Sequence, residues 1–192
     1  MRIYGIPVNG LLTGKKTGVE NYALFLLKEM MRSPLLSDEQ VILYASREVE
    51  ELNPLPAGWH WRLLPWRGKG WTHLRLAREL ALHRPDVLFV PMHEVPIFTG
   101  FKTVATVHDI AFYFYPKTYS LRERLRQELS LWRIVKTADR IIAVSENTAN
   151  DLKKVYGVPS DMIVVVYHGI NNSGRHDNKF DISAIRKKYH LP

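Results

Sequence analysis

Short apolar strands alternate with amphipathic helices along almost the whole of this sequence, and that alternation limits the fold more than any other feature. Arg2–Pro7 reads as a strand and Asn9–Thr17 as a glycine-containing loop. Gly18–Met31 reads as a helix, with Val19, Tyr22, Ala23, Leu26, Leu27 and Met30 on one stripe at helical spacing. Gln40–Ala45 and Trp59–Leu64 read as strands, separated by turn signals at Asn53-Pro54 and Pro56. Trp71–His83 reads as a helix facing inward with Leu74, Ala77, Leu80 and Ala81, and Pro85 ends it. Asp86–Val90 is a compact Val/Leu/Phe strand of the kind found inside parallel sheets.

The second half repeats the pattern. Lys102–Val107 is a strand, Tyr119–Lys136 a helix and Arg140–Val144 a strand. Ser145 suits the N-cap of a helix over Glu146–Tyr156, with Glu146 against its positive end and Gly157 closing it. Met162–Val166 is the last strand. Strands and helices in this order predict an α/β fold: a Rossmann-like, doubly wound parallel sheet. After His168 the composition turns polar, so Gly169–Lys179 reads as a linker and Asp181–Tyr189 as one further helix. The expected organisation is one domain over 1–170 and a connector over 171–192.

Composition narrows the function. The chain has no cysteine, which excludes disulfides and thiolate metal sites. Met1–Gly10 does not resemble a signal peptide. The longest apolar stretches, Tyr22–Leu27 and Val87–Met92, fall far short of the ~20 residues of a membrane span. The expectation is a cytoplasmic protein, or one peripheral at the inner membrane face. A net charge of +8 suits anionic partners. Nucleic acid is set aside, because no helix-turn-helix, RRM or zinc motif is present and the basic residues are scattered.

In open α/β sheets, ligands bind beyond the carboxyl ends of the strands, near the switch in strand order. Three loops there carry chemistry. The first runs from Gly10 through Gly14, Lys15, Lys16 and Thr17 to Gly18 and opens the first helix. Its glycines let backbone approach a ligand, and the helix start offers N–H groups to an anion. It is not a Walker loop: with Gly14-Lys15 as its end, the first glycine falls on Asn9 and the Ser/Thr on Lys16. The alternative is a plain surface loop.

The second is His108-Asp109, followed by Phe112, Tyr113, Phe114, Tyr115 and Pro116. A histidine at a strand's carboxyl end can hydrogen-bond a ligand hydroxyl or phosphate, and aromatic faces suit sugars. The third is His93-Glu94, an imidazole and a carboxylate that could bind acceptor hydroxyls. His93, Glu94, His108 and Asp109 lack the spacing of a recognised metal motif, so no metal is expected. The helix Tyr119–Lys136 carries Arg122, Arg124, Arg126, Arg133 and Lys136 beside Leu121, Leu125, Leu129 and Trp132. The apolar stripe is expected to pack on the sheet with the arginines in water. A helix lying on an anionic membrane is the alternative.

Four segments carry a family likeness: TGKKTGVENY (Thr13–Tyr22), VHDIAFYFYP (Val107–Pro116), ADRIIAVSENTANDL (Ala138–Leu152) and VVVYHGIN (Val164–Asn171). In this order they resemble the N-terminal domain of family-4 retaining glycosyltransferases of the GT-B fold. The resemblance implies an acceptor-side Rossmann-like domain, facing a nucleotide-sugar-binding domain across a cleft. It implies that Gly14, Lys15, Thr17 and Gly18 approach the donor phosphates. His108 would serve as the catalytic contact to the transferred sugar, and His93, Glu94, Asp109 and Tyr113 would contact acceptor or sugar. No metal cofactor is implied, and the nucleotide-sugar is a co-substrate.

The partners so implied are the nucleotide-sugar, a saccharide, lipid-linked or small-molecule acceptor, and a C-terminal donor domain. Such enzymes carry paired glutamates eight positions apart in that second domain, and no two glutamates here have that spacing. The expectation is a glycosyltransferase domain that ends before its donor half and is inactive alone. The alternative is a non-catalytic or partner-dependent module that receives its donor domain from another chain. Glu20-Asn21 also stands where a Gly-Arg pair is common, which puts an arginine contact to phosphate in doubt.

Overall fold

The computed structural model describes residues 1–92, 94–96, 100–169 and 182–190. The strands are β1 (Arg2–Pro7), β2 (Glu39–Ala45), β3 (Trp59–Leu63), β4 (Val87–Val90), β5 (Lys102–Val107), β6 (Arg140–Ala143) and β7 (Ile163–Val165). All pair in parallel, in the order β3-β2-β1-β4-β5-β6-β7. The chain builds outward from β1 to β3, returns to the other side of β1, and builds outward again to β7. This is the doubly wound sheet that the alternation implied, with its switch point between β1 and β4.

Period-two alternation in the strands supplies both faces with core residues. In β2, Val41, Leu43 and Ala45 join Ile6, Val8 and Trp59 in one cluster, closed by Ala23, Leu24 and Leu27 of helix α1 (Gly18–Met30). Ile42 and Tyr44 point to the other cluster, which runs through Leu88, Val90, Ala105, Val107 and Ile141. β1 has neighbours on both sides and little room. A Cβ on Gly5 would lie 2.9 Å from Tyr44 Cε2 and 3.2 Å from Pro85 Cγ. Asp86 pins the start of the same strand: its carboxylate accepts from the Ile3 N–H at 2.7 Å, and its own N–H donates to the Ile3 carbonyl at 2.9 Å.

The helix Trp71–His83 forms with a different phase from the one predicted. Trp71–Leu76 is π-helical, and only Ala77–Leu82 (α2) is regular. A π turn takes more residues per revolution than the 3.6 period assumes, so the buried set shifts. Ala77 and Leu80 are buried as expected, Leu74 and Ala81 are exposed, and Trp71 and Leu76 take their places. The Trp71 indole N–H donates to the Leu64 carbonyl at 3.0 Å. α2 also buries Glu79, which the Arg62 guanidinium meets at 2.7 Å, His83 at 3.0 Å and Arg75 at 3.5 Å.

The aromatic stretch after β5, expected as a loop, contains one helical turn, α3 (Ala111–Phe114). Asp109 explains it, since its carboxylate accepts the Ala111 N–H at 2.9 Å. Helix α4 (Leu121–Thr137) starts at Ser120, whose hydroxyl accepts from the Glu123 N–H at 3.2 Å. Its orientation overturns the expectation of an apolar stripe packed on the sheet. Leu131 and Ile134 are buried, while Leu121, Leu125, Leu129 and Trp132 all face solvent. Helical periodicity shows that a stripe exists, not which way it faces. Here two side chains, Leu131 and Ile134, fill the space over the sheet.

Helix α5 (Glu146–Tyr156) forms as read. The Ser145 hydroxyl caps it at the Thr148 N–H (3.1 Å), and Gly157 ends it at φ +64°, a conformation that disfavours any side chain. Helix α6 (Ile182–Tyr189) matches the expected last helix. The linker expected over Gly169–Lys179 lies, beyond Gly169, outside the described residues.

Candidate active site

The switch point brings the loop after β1 against the loop after β4. They touch at Gly10, where a Cβ would come within 3.0 Å of Met92 Sδ. One strand further out, β5 ends at His108, which is almost fully buried. His108 is held through both its ring and its backbone. Its Nε2 lies 3.2 Å from the Pro91 carbonyl, and the Thr148 hydroxyl donates to the His108 carbonyl at 3.1 Å. Tyr22 of α1 meets the ring edge-on, with centroids 4.8 Å apart and planes at 86°. His168, just after β7, completes a three-ring group at 5.6 Å from His108 and 4.8 Å from Tyr22. Strands β5 and β7 and helix α1 therefore converge on one imidazole.

Burial raises the pKa of the Tyr22 phenol above its ordinary value. The neighbouring Thr106 hydroxyl partly opposes that shift without meeting hydrogen-bond geometry. At neutral pH Tyr22 is a neutral phenol.

The glycine loop is open. A Cβ on Gly14 or Gly18 would meet nothing within 4 Å, and neither residue has positive φ, so the fold itself does not require glycine there. Lys15 is exposed. Lys16 turns away to pair with Glu51. The Thr17 N–H and hydroxyl both donate to the Glu20 carboxylate, the N–H at 2.8 Å. That capping box was legible as Thr17-x-x-Glu20 but was not read from the sequence. It sets a carboxylate on the helix start where an anion was expected.

The remaining candidates separate into two places. Glu94 does not approach His108 through any described contact. It accepts from the Thr72 hydroxyl at 3.0 Å and pairs with Arg126 at 3.1 Å. Asp109 caps α3 and, with Phe112, Arg126, Gln127 and Ser130, lines a pocket beneath α4. Tyr113 is exposed and stacks edge-on with Phe114 at 5.2 Å. His93 lies outside the described residues. Among the described residues, no group of three or more His, Cys, Asp or Glu converges as a metal site.

Residues 16–173 match the family model for Glycosyltransferase Family 4. The chain belongs to glycosyltransferase family 4.

The chain is also 31% identical over 81 residues to the O-antigen chain mannosyltransferase RfbU of Salmonella typhimurium strain LT2, a match covering 42% of this chain and 22% of that protein. A glycosyltransferase of known structure from Rickettsia africae ESF-5 is similar over the whole chain, at 14% identity and a TM-score of 0.48. The chain spans 50% of that structure's length.

For this family-4 chain, sequence reasoning placed His108 at the right strand end but missed its ring partners. Tyr22 read only as part of a core stripe, and His168 only as part of the segment leading into the linker. Arg126 read as a water-facing arginine; it is exposed, and it also joins Glu94 to the pocket that Asp109 lines. The signal for Tyr22 and His168 was their presence in the resembling segments TGKKTGVENY and VVVYHGIN.

Proposed function

We propose that this chain supplies the acceptor-side domain of a retaining glycosyltransferase, which moves a sugar from a nucleotide-sugar to a glycan, lipid-linked or small-molecule acceptor. The observation that carries the reading is the convergence of Tyr22 and His168 on His108, at the carboxyl end of β5 and beside the switch point. Membership of family 4 and the open space above Gly14 and Gly18 support it.

In the reaction, the acceptor oxygen forms a bond to the anomeric carbon while the bond from that carbon to the nucleotide phosphate breaks. The departing diphosphate takes the electron pair of the broken bond, and its oxygen accepts the proton that the acceptor hydroxyl gives up. His108 contacts the transferred sugar, and its buried, multiply held ring spends little energy on reorganisation. Backbone N–H groups near Gly14, Lys15 and Gly18 face the developing phosphate charge, while the Thr17 N–H stays with Glu20. Glu94 and Asp109 with Arg126, together with Tyr113, serve the acceptor. The nucleotide-sugar is a co-substrate, and no metal cofactor takes part. Residues 171–192 lead to a donor domain in the same chain or in a partner, so residues 1–170 alone lack one wall of the cleft. The protein works in the cytoplasm, at the inner membrane face.

The test compares sugar transfer by purified residues 1–192 with transfer by the same residues joined to a donor domain. Transfer by the joined form alone is the expected result. Robust transfer by residues 1–192 would overturn the half-site reading. A separate polypeptide that restores transfer in trans would favour the partner-dependent module.

A further inference from the structure

α4 turns its most apolar side outward. Leu121, Leu125, Leu129 and Trp132 are between 48% and 70% exposed. They recur at i, i+4, i+8 and i+11, so they form one continuous stripe. Tyr113, Phe114 and Tyr115, in and beside the packed turn α3, are exposed as well. A monomer in water rarely shows so large an apolar patch unless something covers it.

Charge and direction identify the cover. α4 carries Arg122, Arg124, Arg126, Arg133 and Lys136 against Glu123 and Glu128, and Arg122 and Lys136 are exposed beside the stripe. A second copy docked through a two-fold axis would press this basic rim against itself. A donor domain would meet the carboxyl ends of the strands, whereas the stripe points away from the sheet. Trp and Tyr favour the boundary between headgroups and acyl chains, and basic side chains favour anionic headgroups. Among the described residues, no helix is long and apolar enough to cross a bilayer.

We propose that the α3–α4 face docks on the surface of an anionic phospholipid bilayer, with Leu121, Leu125, Leu129 and Trp132 in the interface and the basic rim on lipid phosphates. The inner side of the same helix supplies Arg126, Gln127 and Ser130 to the pocket shared with Asp109. Docking places that pocket about one helix diameter, ~10 Å, from the headgroups. An acceptor held there is one carried on a lipid. This last step rests on the transferase reading, but docking itself does not.

The experiment is co-sedimentation of the chain with phosphatidylcholine vesicles, with and without phosphatidylglycerol. Partition onto the phosphatidylglycerol vesicles is expected to be at least about tenfold higher and to fall with added salt. The double variant L125E/W132E removes that gain, and its unchanged circular dichroism shows that the fold survives at two exposed positions. R122E/K136E weakens the preference for phosphatidylglycerol. The proposal is overturned if wild type shows no preference, if L125E/W132E binds as wild type does, or if wild type is a dimer that L125E/W132E converts to monomer. No sugar transfer is measured, so failure here leaves the transferase reading intact, and an inactive enzyme leaves docking intact.

Discussion

Tyr22 stands edge-on to His108 across 4.8 Å, although 86 positions separate them in the chain. The contact ties helix α1, which opens from the glycine loop, to the strand end that carries the imidazole. In a complete enzyme, His108→Ala should lower kcat by roughly 10²-fold, the scale of one well-placed transition-state contact. Tyr22→Leu removes the ring support only and should cost about tenfold. Steady-state kinetics on both variants check this, and near-normal turnover in His108→Ala would make the imidazole structural.

Glu20 places a negative charge at the helix start that the donor phosphates are proposed to approach. Glu20→Gln should lower KM for the nucleotide-sugar by about fivefold, equivalent to about 1 kcal/mol of relieved repulsion. The weakened capping box should cost about 0.5–1 kcal/mol of stability. Donor titration and thermal melts separate the two effects. A raised KM would mean that the carboxylate orients the donor instead of repelling it.

Gly5 has no room for a methyl group, because its neighbours are the Tyr44 ring and Pro85, not flexible side-chain ends. Gly5→Ala should destabilise the fold by about 1–3 kcal/mol. For a domain of this size that is a fall in Tm of about 2–4 °C per kcal/mol. A melt unchanged from wild type would show that β1 can shift at no cost.

Glu79 gives the pH dependence. Burial pushes its pKa up, but the Arg62 hydrogen bond and the charges of Arg62, His83 and Arg75 outweigh burial and hold it below the usual carboxylate range. A depressed folded pKa stabilises above the unfolded value and loses that contribution as pH falls through the folded value. Glu79→Gln should therefore cost about 1–3 kcal/mol at neutral pH, and the gap to wild type should close in acid. Urea melts at several pH values check this; a gap that is constant with pH would remove the ion pairs from the account.

The parallel, doubly wound sheet was legible because its strands and most of its helices announced themselves by period, and Ser145 and Gly157 marked one helix at both ends. His108 was legible because its place follows from the end of a strand. Its partners were not, since Tyr22 and His168 reach it only through a fold that no local pattern encodes. The phase error at Trp71–Leu76 has a local cause, a π turn that breaks the 3.6 period. The α4 error is of another kind. Leu121, Leu125, Leu129 and Trp132 were correctly grouped, but grouping carries no information about which neighbour the group meets.

The clasp between Ile3 and Asp86 bears on how the protein is made. These residues lie 83 positions apart, so β1, an interior strand of the sheet, gains its second neighbour only after β4 has been synthesised. At about 5–20 residues per second, it waits roughly 4–17 s with one edge bare. Over that interval the nascent chain presents the kind of open strand that other chains can join. Any nonsense mutation before Val87 would leave that edge open permanently.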